Sequence, residues 1–299
     1  MNLPSLNSNE LVDINSDNAV SQYIRGALAR YFSIKDIPYE CILFTNGADA
    51  AIHTLVRTIL KDKNVTYLDL NYHYATQLIT ENARIATEQK TFWDVCSGVR
   101  KFLLPGLSNP TDILYITNPD NKLGLYLNSN ELIHIVNKSN LCIIDESYGD
   151  YVPISLIQQA LHKKNTIILR TFSKFFSLET ERIGYIISNK KTIQILREAL
   201  PQYPIATTSI FTLLNTLKVT NITETKKKRA QIEKKKKMFY TVCDKNDILY
   251  AHSHTNFVTI FDRNPETIPA ITFLKKDMKE FILHKKKCFR LCIERVTFL

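Results

Sequence analysis

Lys174 stands just beyond the apolar run Thr166–Arg170 (TIILR), in the segment Thr171-Phe172-Ser173-Lys174, and Arg182 follows eight residues later. A second apolar run, Leu141–Asp145 (LCIID), ends on Asp145, with Tyr148 three residues beyond. A third, Ile113–Thr117 (ILYIT), leads into Asn118-Pro119-Asp120-Asn121, and Gly47-Ala48-Asp49 opens the helical stretch AAIHTLVRTIL. An amine held at a strand tip can add to a carbonyl and form an imine. A carboxylate such as Asp145 can keep a ring nitrogen protonated, while Asn118 and Tyr148 offer neutral hydrogen-bond donors to a ring oxygen. The helix start at Gly47-Ala48-Asp49 favours an anion through its free N–H groups and dipole. Thr171, Ser173 and Arg182 add donors and charge to the same clamp.

The elements that must bring these residues together are readable from periodicity. Val20, Tyr23, Ile24, Ala27, Leu28 and Tyr31 recur at helical spacing and predict an amphipathic helix over NAVSQYIRGALARYF. The middle of the chain changes period. Short runs rich in β-branched residues at Val65–Leu70, Ile113–Thr117, Leu141–Asp145, Thr166–Arg170 and Ile183–Ser188 predict strands. Helical stretches at Asn130–Asn137 and Leu156–His162 separate several of them. Unbroken apolar strands alternating with helices imply an α/β fold with a mostly parallel central sheet covered on both faces. In such a sheet, ligands bind at the carboxyl ends of the strands, where the residues above fall. Beyond Tyr203-Pro204 a long polar helix, about residues 210–240, precedes further strand patterns at Asn256–Phe261 and Phe289–Ile293, which reads as a smaller α+β unit. The division expected is an N-terminal segment and helix over 1–30, a large domain over 31–204 and a small C-terminal domain over 205–299.

Taken together, the strand-tip residues meet the needs of pyridoxal 5'-phosphate: an amine for its aldehyde, a carboxylate for its pyridine nitrogen, and a cationic clamp for its phosphate. The sequence also resembles a known family, the fold-type I pyridoxal-phosphate aminotransferases, in the branch of histidinol-phosphate aminotransferase. LNSNE at Leu6–Glu10 is similar to that branch's L-N-x-N-E-N, and NGADAAI to its G-[AS]-D-[EA]-x-I turn. NPDNKLG resembles N-P-N-N-P-T-G, IIDESY resembles the D-E-A-Y strand end, and FRLCI resembles L-R-[IV]-[ST]-[IV]. The most specific match is RTFSKFFSLETERIGY, with Lys174 and Arg182 at the family's spacing. The matches run in family order over nearly the whole chain.

The resemblance implies that Lys174 carries the cofactor as a Schiff base and shuttles a proton between Cα and C4′. It implies that Asp145 pairs with the pyridine nitrogen, that Asn118 and Tyr148 bind the ring oxygen, and that Gly47, Ala48, Asp49, Thr171, Ser173 and Arg182 surround the phosphate. Tyr74 falls where the family stacks an aromatic ring, although NYHY also allows Tyr72. Arg290 would grip the substrate carboxylate, with Asn118 and Asn9 also near the substrate. A homodimer follows, with the Asn7–Glu10 segment near the partner's site. Departures are local: Lys122 and Leu123 replace Pro and Thr of the asparagine loop, Glu179-Thr180 replaces Ala-Gly, and Glu294-Arg295 follows the final strand in place of Gly.

Composition narrows the alternatives. The chain has 299 residues, 44% hydrophobic and 23% charged, as expected of a globular protein with a large core. It has no run of about 18 uncharged apolar residues and no basic-then-apolar leader, so the sequence predicts a cytoplasmic protein outside the membrane. Six cysteines without paired spacing imply no disulfide framework, and the HxH of His252 and His254 has no third ligand nearby, so no metal is expected. The net charge of +10 comes largely from the clusters at Lys226–Arg229, Lys234–Lys237 and Lys285–Lys287, without interleaved aromatic residues to stack bases. They read as a solvated face, not a nucleic-acid site. Three functions compete: transamination between an amino donor and a keto acid, decarboxylation or other chemistry at Cα on the same scaffold, and a catalytically silent basic binding protein.

Overall fold

The computed structural model describes residues 11–298 apart from 69, 90–112, 128, 138, 153–155, 163–164, 220–221, 269–270, 273–277 and 284. Trp93 and Cys96, and the Leu6–Glu10 motif with its Asn9, lie outside the described residues. Seven strands form the main sheet: β1 (Ile42–Asn46), β2 (Asn64–Leu68), β3 (Ile85–Gln89), β4 (Ile113–Thr117), β5 (Leu141–Asp145), β6 (Thr166–Thr171) and β7 (Ile183–Ile187). Their order is β1-β7-β6-β5-β4-β2-β3, and only β7 runs against its neighbours. Because β7 is antiparallel to both β6 and β1, those two share a direction. Asn46, Thr117, Asp145 and Thr171 therefore end their strands on one edge.

The strands bury both faces, and the period-2 alternation sends neighbouring residues into different layers. Leu114, Ile116, Cys142 and Ile144 pack in one layer with α1 (Ala19–Tyr31) and α4 (Ser129–Asn137). Tyr115, Ile143, Ile167 and Leu169 pack in the other with α2 (Gly47–Thr58), α3 (His73–Asn82) and α6 (Lys190–Glu198). Two strands of this sheet have no counterpart in the sequence reading. β1 is a short run directly before the helix that Gly47 opens, and the edge strand β3 has a largely exposed face without an apolar run.

The single long helix expected over about 210–240 is instead two, α7 (Thr207–Val219) and α8 (Ile222–Lys245). They differ in burial. α7 puts Ile210, Leu213, Leu214 and Leu217 into the same apolar cluster as Ile24 and Leu28 of α1, although the sequence groups it with the C-terminal unit. α8 is polar, and its Phe239 and Cys243 join a separate cluster with β9 (Phe257–Phe261) and β12 (Lys286–Cys292). Those two strands belong to a four-stranded antiparallel sheet, ordered β11-β12-β9-β8, with β11 at Met278–Leu283 and β8 at Tyr250–Ala251. β10 (Ile271–Thr272) and β13 (Thr297–Phe298) form a small separate pair.

The lysine clusters of α8 are largely engaged. Lys228 donates to the Phe175 carbonyl, Arg229 to the Asp150 carbonyl at 2.7 Å, Lys235 to the Glu294 carbonyl at 2.7 Å and Lys236 to the Ser253 carbonyl at 2.6 Å. Burial lowers the affinity of the Lys236 ammonium for its proton, while its pairing with Glu233 opposes that effect. These cations satisfy loop carbonyls of both sheets.

A buried ionic cluster supports the edge that carries Asp145. Arg170 is 1% exposed; its Nη2 meets Glu146 Oε2 at 2.7 Å and its Nη1 meets Asp150 Oδ1 at 2.7 Å. Burial opposes the guanidinium charge, but the two carboxylates outweigh it and hold the group protonated. Gly149 allows this packing, because an added Cβ would lie 2.6 Å from Arg170 Nη2 and 2.9 Å from Glu146 Cβ. Removing one member of a buried ionic set leaves the others desolvated and unpaired. Arg170→Ala should therefore destabilise the protein by about 3–5 kcal/mol in urea unfolding, as one-sided deletions of buried pairs do.

Candidate functional site

At the shared edge of the parallel strands lies a cavity of about 140 Å³. Thr117 ends β4, Asp145 ends β5 and Thr171 ends β6, and all three line it. Thr117 and Asp145 are register partners on adjacent strands. Ala48 and Asp49 enter from the first turn of α2, Tyr148 from the turn after β5, and Ser173, Lys174 and Arg182 from the loop joining β6 to β7. Lys279 and Arg290 project from the C-terminal sheet and close the far side. Seven of the predicted site residues thus line one cavity with Lys174: Ala48, Asp49, Asp145, Tyr148, Thr171, Ser173 and Arg182. Arg290 joins them from 108 positions beyond Arg182 in the chain.

Asp145 is 2% exposed. Its Oδ1 accepts from the Ser147 backbone N–H at 2.9 Å and the Ser147 hydroxyl at 2.6 Å, and its Oδ2 accepts from the Tyr115 hydroxyl at 3.2 Å. Burial raises its pKa above the usual carboxylate range, and the bonds from Ser147 and Tyr115 and the charge of Lys174 pull it back in part. Lys174 is an exposed residue at the cavity mouth, with its ammonium 5.7 Å from the centroid of the Tyr148 ring. Tyr148 is itself buried and stacks edge-on against Phe257 at 5.3 Å.

The anion-facing end is built from main chain. Gly47 has φ +74°, a conformation that favours glycine, and a Cβ there would lie 2.6 Å from Arg182 Nη2. A Cβ on Gly184 would meet Gly47 C at 2.6 Å and Ala48 N at 2.9 Å. Two glycines thus let β7 press directly on the start of α2, whose first-turn N–H groups have no acceptor within the helix. Arg182, held at φ 52°, places Nη2 3.1 Å from Asp49 Oδ2. The Thr171 hydroxyl donates to Ser173 Oγ at 3.0 Å.

Two predicted positions are corrected. Asn118 does not reach the cavity: its Nδ2 donates to the Leu127 carbonyl at 3.2 Å, and its Oδ1 accepts from the Leu127 N–H at 2.8 Å. The cause is the turn that follows. Asp120 accepts from the N–H groups of Lys122 (2.9 Å), Leu123 (2.7 Å) and Leu125 (2.6 Å), and Asn121 is thereby carried to the cavity in place of Asn118. Tyr74 is likewise displaced by Tyr72. The Tyr74 hydroxyl meets His53 Nε2, whereas Tyr72 lines the cavity. Burial raises the Tyr72 phenol pKa, and the charges of Asp49 and Asp145 add to that.

Sequence reasoning also missed Thr117, Ser147, Tyr115 and Lys279 as site residues. Ser147 had a local signal, since a serine two residues after an aspartate commonly closes a side-chain turn. Lys279 had none, because its position depends on strand register: it sits opposite Arg290 on β11. Burial and the charges of Arg290 and Lys174 lower its pKa. Arg290 donates from Nη1 to the Asn121 carbonyl and lies 4.6 Å from the Phe257 ring centroid.

A larger cavity, about 470 Å³, is lined by Tyr31, Asp150, Arg170 and Arg229. Its size does not make it the better candidate, because Arg170 and Asp150 already neutralise each other there. The chemistry-bearing groups converge on the smaller one.

The profile of the Aminotransferase class I and II family matches residues 5–297. The histidinol-phosphate aminotransferase of Buchnera aphidicola subsp. Cinara cedri (strain Cc) is 29% identical over 260 residues, covering 81% of this chain and 70% of that protein. The enzyme of the same name from Anoxybacillus flavithermus is 28% identical, covering 84% and 68%. Among solved structures, histidinol-phosphate aminotransferase from Clostridium acetobutylicum superposes with a TM-score of 0.74 at 20% identity, covering 95% of this chain and 87% of that one. The Sinorhizobium meliloti enzyme, crystallised with pyridoxal-5'-phosphate, superposes at 0.70 with 19% identity, covering 84% and 67%.

The raised pKa of Asp145 fixes a sign. A carboxyl whose folded pKa lies above its unfolded one contributes its full stability at low pH and loses it as pH rises through the folded value. Asp145→Asn should therefore stabilise the ligand-free protein in urea unfolding at pH 7, with the gain shrinking as pH falls.

Proposed function

The chain belongs to the class I and II aminotransferases, and we propose that it transfers an amino group between a small amino compound and a keto acid, with pyridoxal 5'-phosphate in the cavity around Lys174. One observation carries this reading: Lys174, the buried Asp145 and the Arg182–α2 clamp, far apart in sequence, meet in one cavity. The residues present suit the cofactor. The Thr117 hydroxyl is buried at the cavity without a hydrogen-bond partner among the described residues, and the contact of Gly184 with the α2 start leaves a main-chain cradle for a phosphate.

When bound, pyridoxal phosphate supplies an aldehyde for amine chemistry and a protonated ring that draws electrons from the substrate's Cα. Lys174 would hold that aldehyde through its amine and, once released, carry a proton between Cα and C4′. Asp145 would keep the ring nitrogen protonated; in return the ring's charge offsets the cost of burying this carboxylate. Ala48, Asp49, Ser173 and Arg182 would hold the phosphate, the first two through backbone N–H groups. Release of Asp49 by Arg182 would free the guanidinium for it. Asn121 and Tyr148 are the donors available to the ring oxygen, and Tyr72 is the aromatic ring at the cavity wall.

The substrate proposed is a small amino acid or amino-alcohol phosphate, the latter supported by the names of the relatives. Arg290 would grip its anionic group in a bidentate pair, with Lys279 beside it. The reading includes a homodimer and a cytoplasmic address. It includes no nucleic acid, given that α8 spends several cations on carbonyls, and no membrane partner. No helix among the described residues is long and apolar enough to cross a membrane.

Borohydride reduction of protein loaded with pyridoxal phosphate, followed by peptide mapping, tests the central assignment. The label should sit on Lys174 and vanish in Lys174→Ala; a label that stays put in that variant defeats it. Amino transfer to 2-oxoglutarate, measured beside CO₂ release, separates transamination from decarboxylation. Arg290→Lys loses the guanidinium fork, so KM for the amino substrate should rise about tenfold or more while the bound cofactor's spectrum stays unchanged.

A further inference from the structure

The loop from Lys174 to Arg182 carries two groups that the proposed reaction needs, and its backbone is strained. Ser177 and Arg182 are not glycines, yet they sit at φ 57° and 52°. Cβ sterics disfavour that region, and such residues persist only where their surroundings over-determine them. Arg182 is held by Asp49 and the Glu179 carbonyl, and the start of the loop is held from outside by α8. The Lys228 ammonium donates to the carbonyl of Phe175, the residue immediately after Lys174. It also lies 4.9 Å from the Phe175 ring centroid and 3.6 Å from Glu294 Oε1. Glu294 stands four residues after Arg290, and its Oε2 accepts from Asn256 Nδ2 at 2.6 Å.

A second strap, Arg295 to Glu179 at 3.4 Å, joins the same two segments, but both side chains are more than half exposed. Exposed pairs of this kind contribute little. Lys228 and Glu294 are only 31% and 27% exposed, so solvent screens them less. An ammonium with three donors can serve a carbonyl, a ring face and a carboxylate together. Glu179, Glu294 and Arg295 are all positions where this chain departs from the family pattern it resembles.

We propose that Lys228 is a positioning residue. It ties the main chain beside Lys174 to the segment following Arg290, and so holds the loop that presents both the cofactor-holding amine and the phosphate-facing guanidinium. The inference rests on Lys174 being the cofactor lysine. Lys228 does not itself line the cavity.

Pyridoxal 5'-phosphate titrated into the cofactor-free full chain, followed by visible absorbance, tests this in wild type, Lys228→Met, Lys228→Arg and Glu294→Gln. Lys228→Met should weaken binding at least tenfold while the urea midpoint of the cofactor-free protein stays near wild type. Lys228→Arg should restore most of the affinity, and Glu294→Gln should shift it in the same direction by less. Unchanged affinity in Lys228→Met overturns the proposal, as does a loss that simply tracks the fraction unfolded. If Lys228→Met does not fold, unchanged affinity in Glu294→Gln overturns it instead. Borohydride mapping of the wild type separates the two levels. A label on Lys174 with binding unaltered in Lys228→Met defeats the brace alone; a label elsewhere defeats the assignment beneath it.

Discussion

A carboxylate buried at the end of a parallel strand needs a positive partner or hydrogen-bond donors, and much of this site is arranged around that need. Asp145 receives bonds from Ser147 and Tyr115, and the charge of Lys174 reaches it across the cavity. Those contacts lower the cost of its burial without removing it. A positively charged ring nitrogen beside it would complete the balance. The same edge carries a second buried ionic set, in which Glu146, the next residue along, is matched by Arg170. Adjacent acids thus meet different ends: one neutralised inside the protein, the other kept for the cavity.

The parts of this arrangement that the sequence disclosed are those set by local chain direction. Unbroken runs such as ILYIT and LCIID mark strands buried on both faces, and their last residues must fall at the carboxyl edge. That logic reached Lys174, Asp145, Arg182 and the start of α2. It failed where side-chain hydrogen bonds decide which residue of a turn faces inward. Asn118 and Asn121 are equivalent by type, and only the grip of Asp120 on four following backbone N–H groups turns the second toward the cavity. It failed again for Lys279, whose place depends on pairing with Arg290, eleven residues further on. The edge strand β3 was hidden because one layer of it faces away from the core, leaving no apolar run.

The lysine clusters of α8 do more than cover a solvated face. The run from Lys226 to Lys237 looks like a solvated stripe, yet four of its cations end on loop carbonyls, and Lys236 is buried outright. Long aliphatic stems let these side chains cross between elements before spending their charge. α8 therefore joins the two sheets electrostatically, while its few apolar residues, Phe239 among them, serve the smaller core.

The contact between Gly184 and the Gly47–Ala48 peptide is backbone against backbone. Side-chain replacement cannot tune such a junction; it can only obstruct it. Drift at this end of the cavity is thereby frozen, whatever compound the protein converts. Freedom to change preference must lie on the opposite wall, where β11 and β12 present Lys279 and Arg290 from an antiparallel ribbon whose residues can be exchanged one at a time. Diversification of this scaffold would accordingly be written in the C-terminal strands, around a main-chain junction that leaves no room for a side chain.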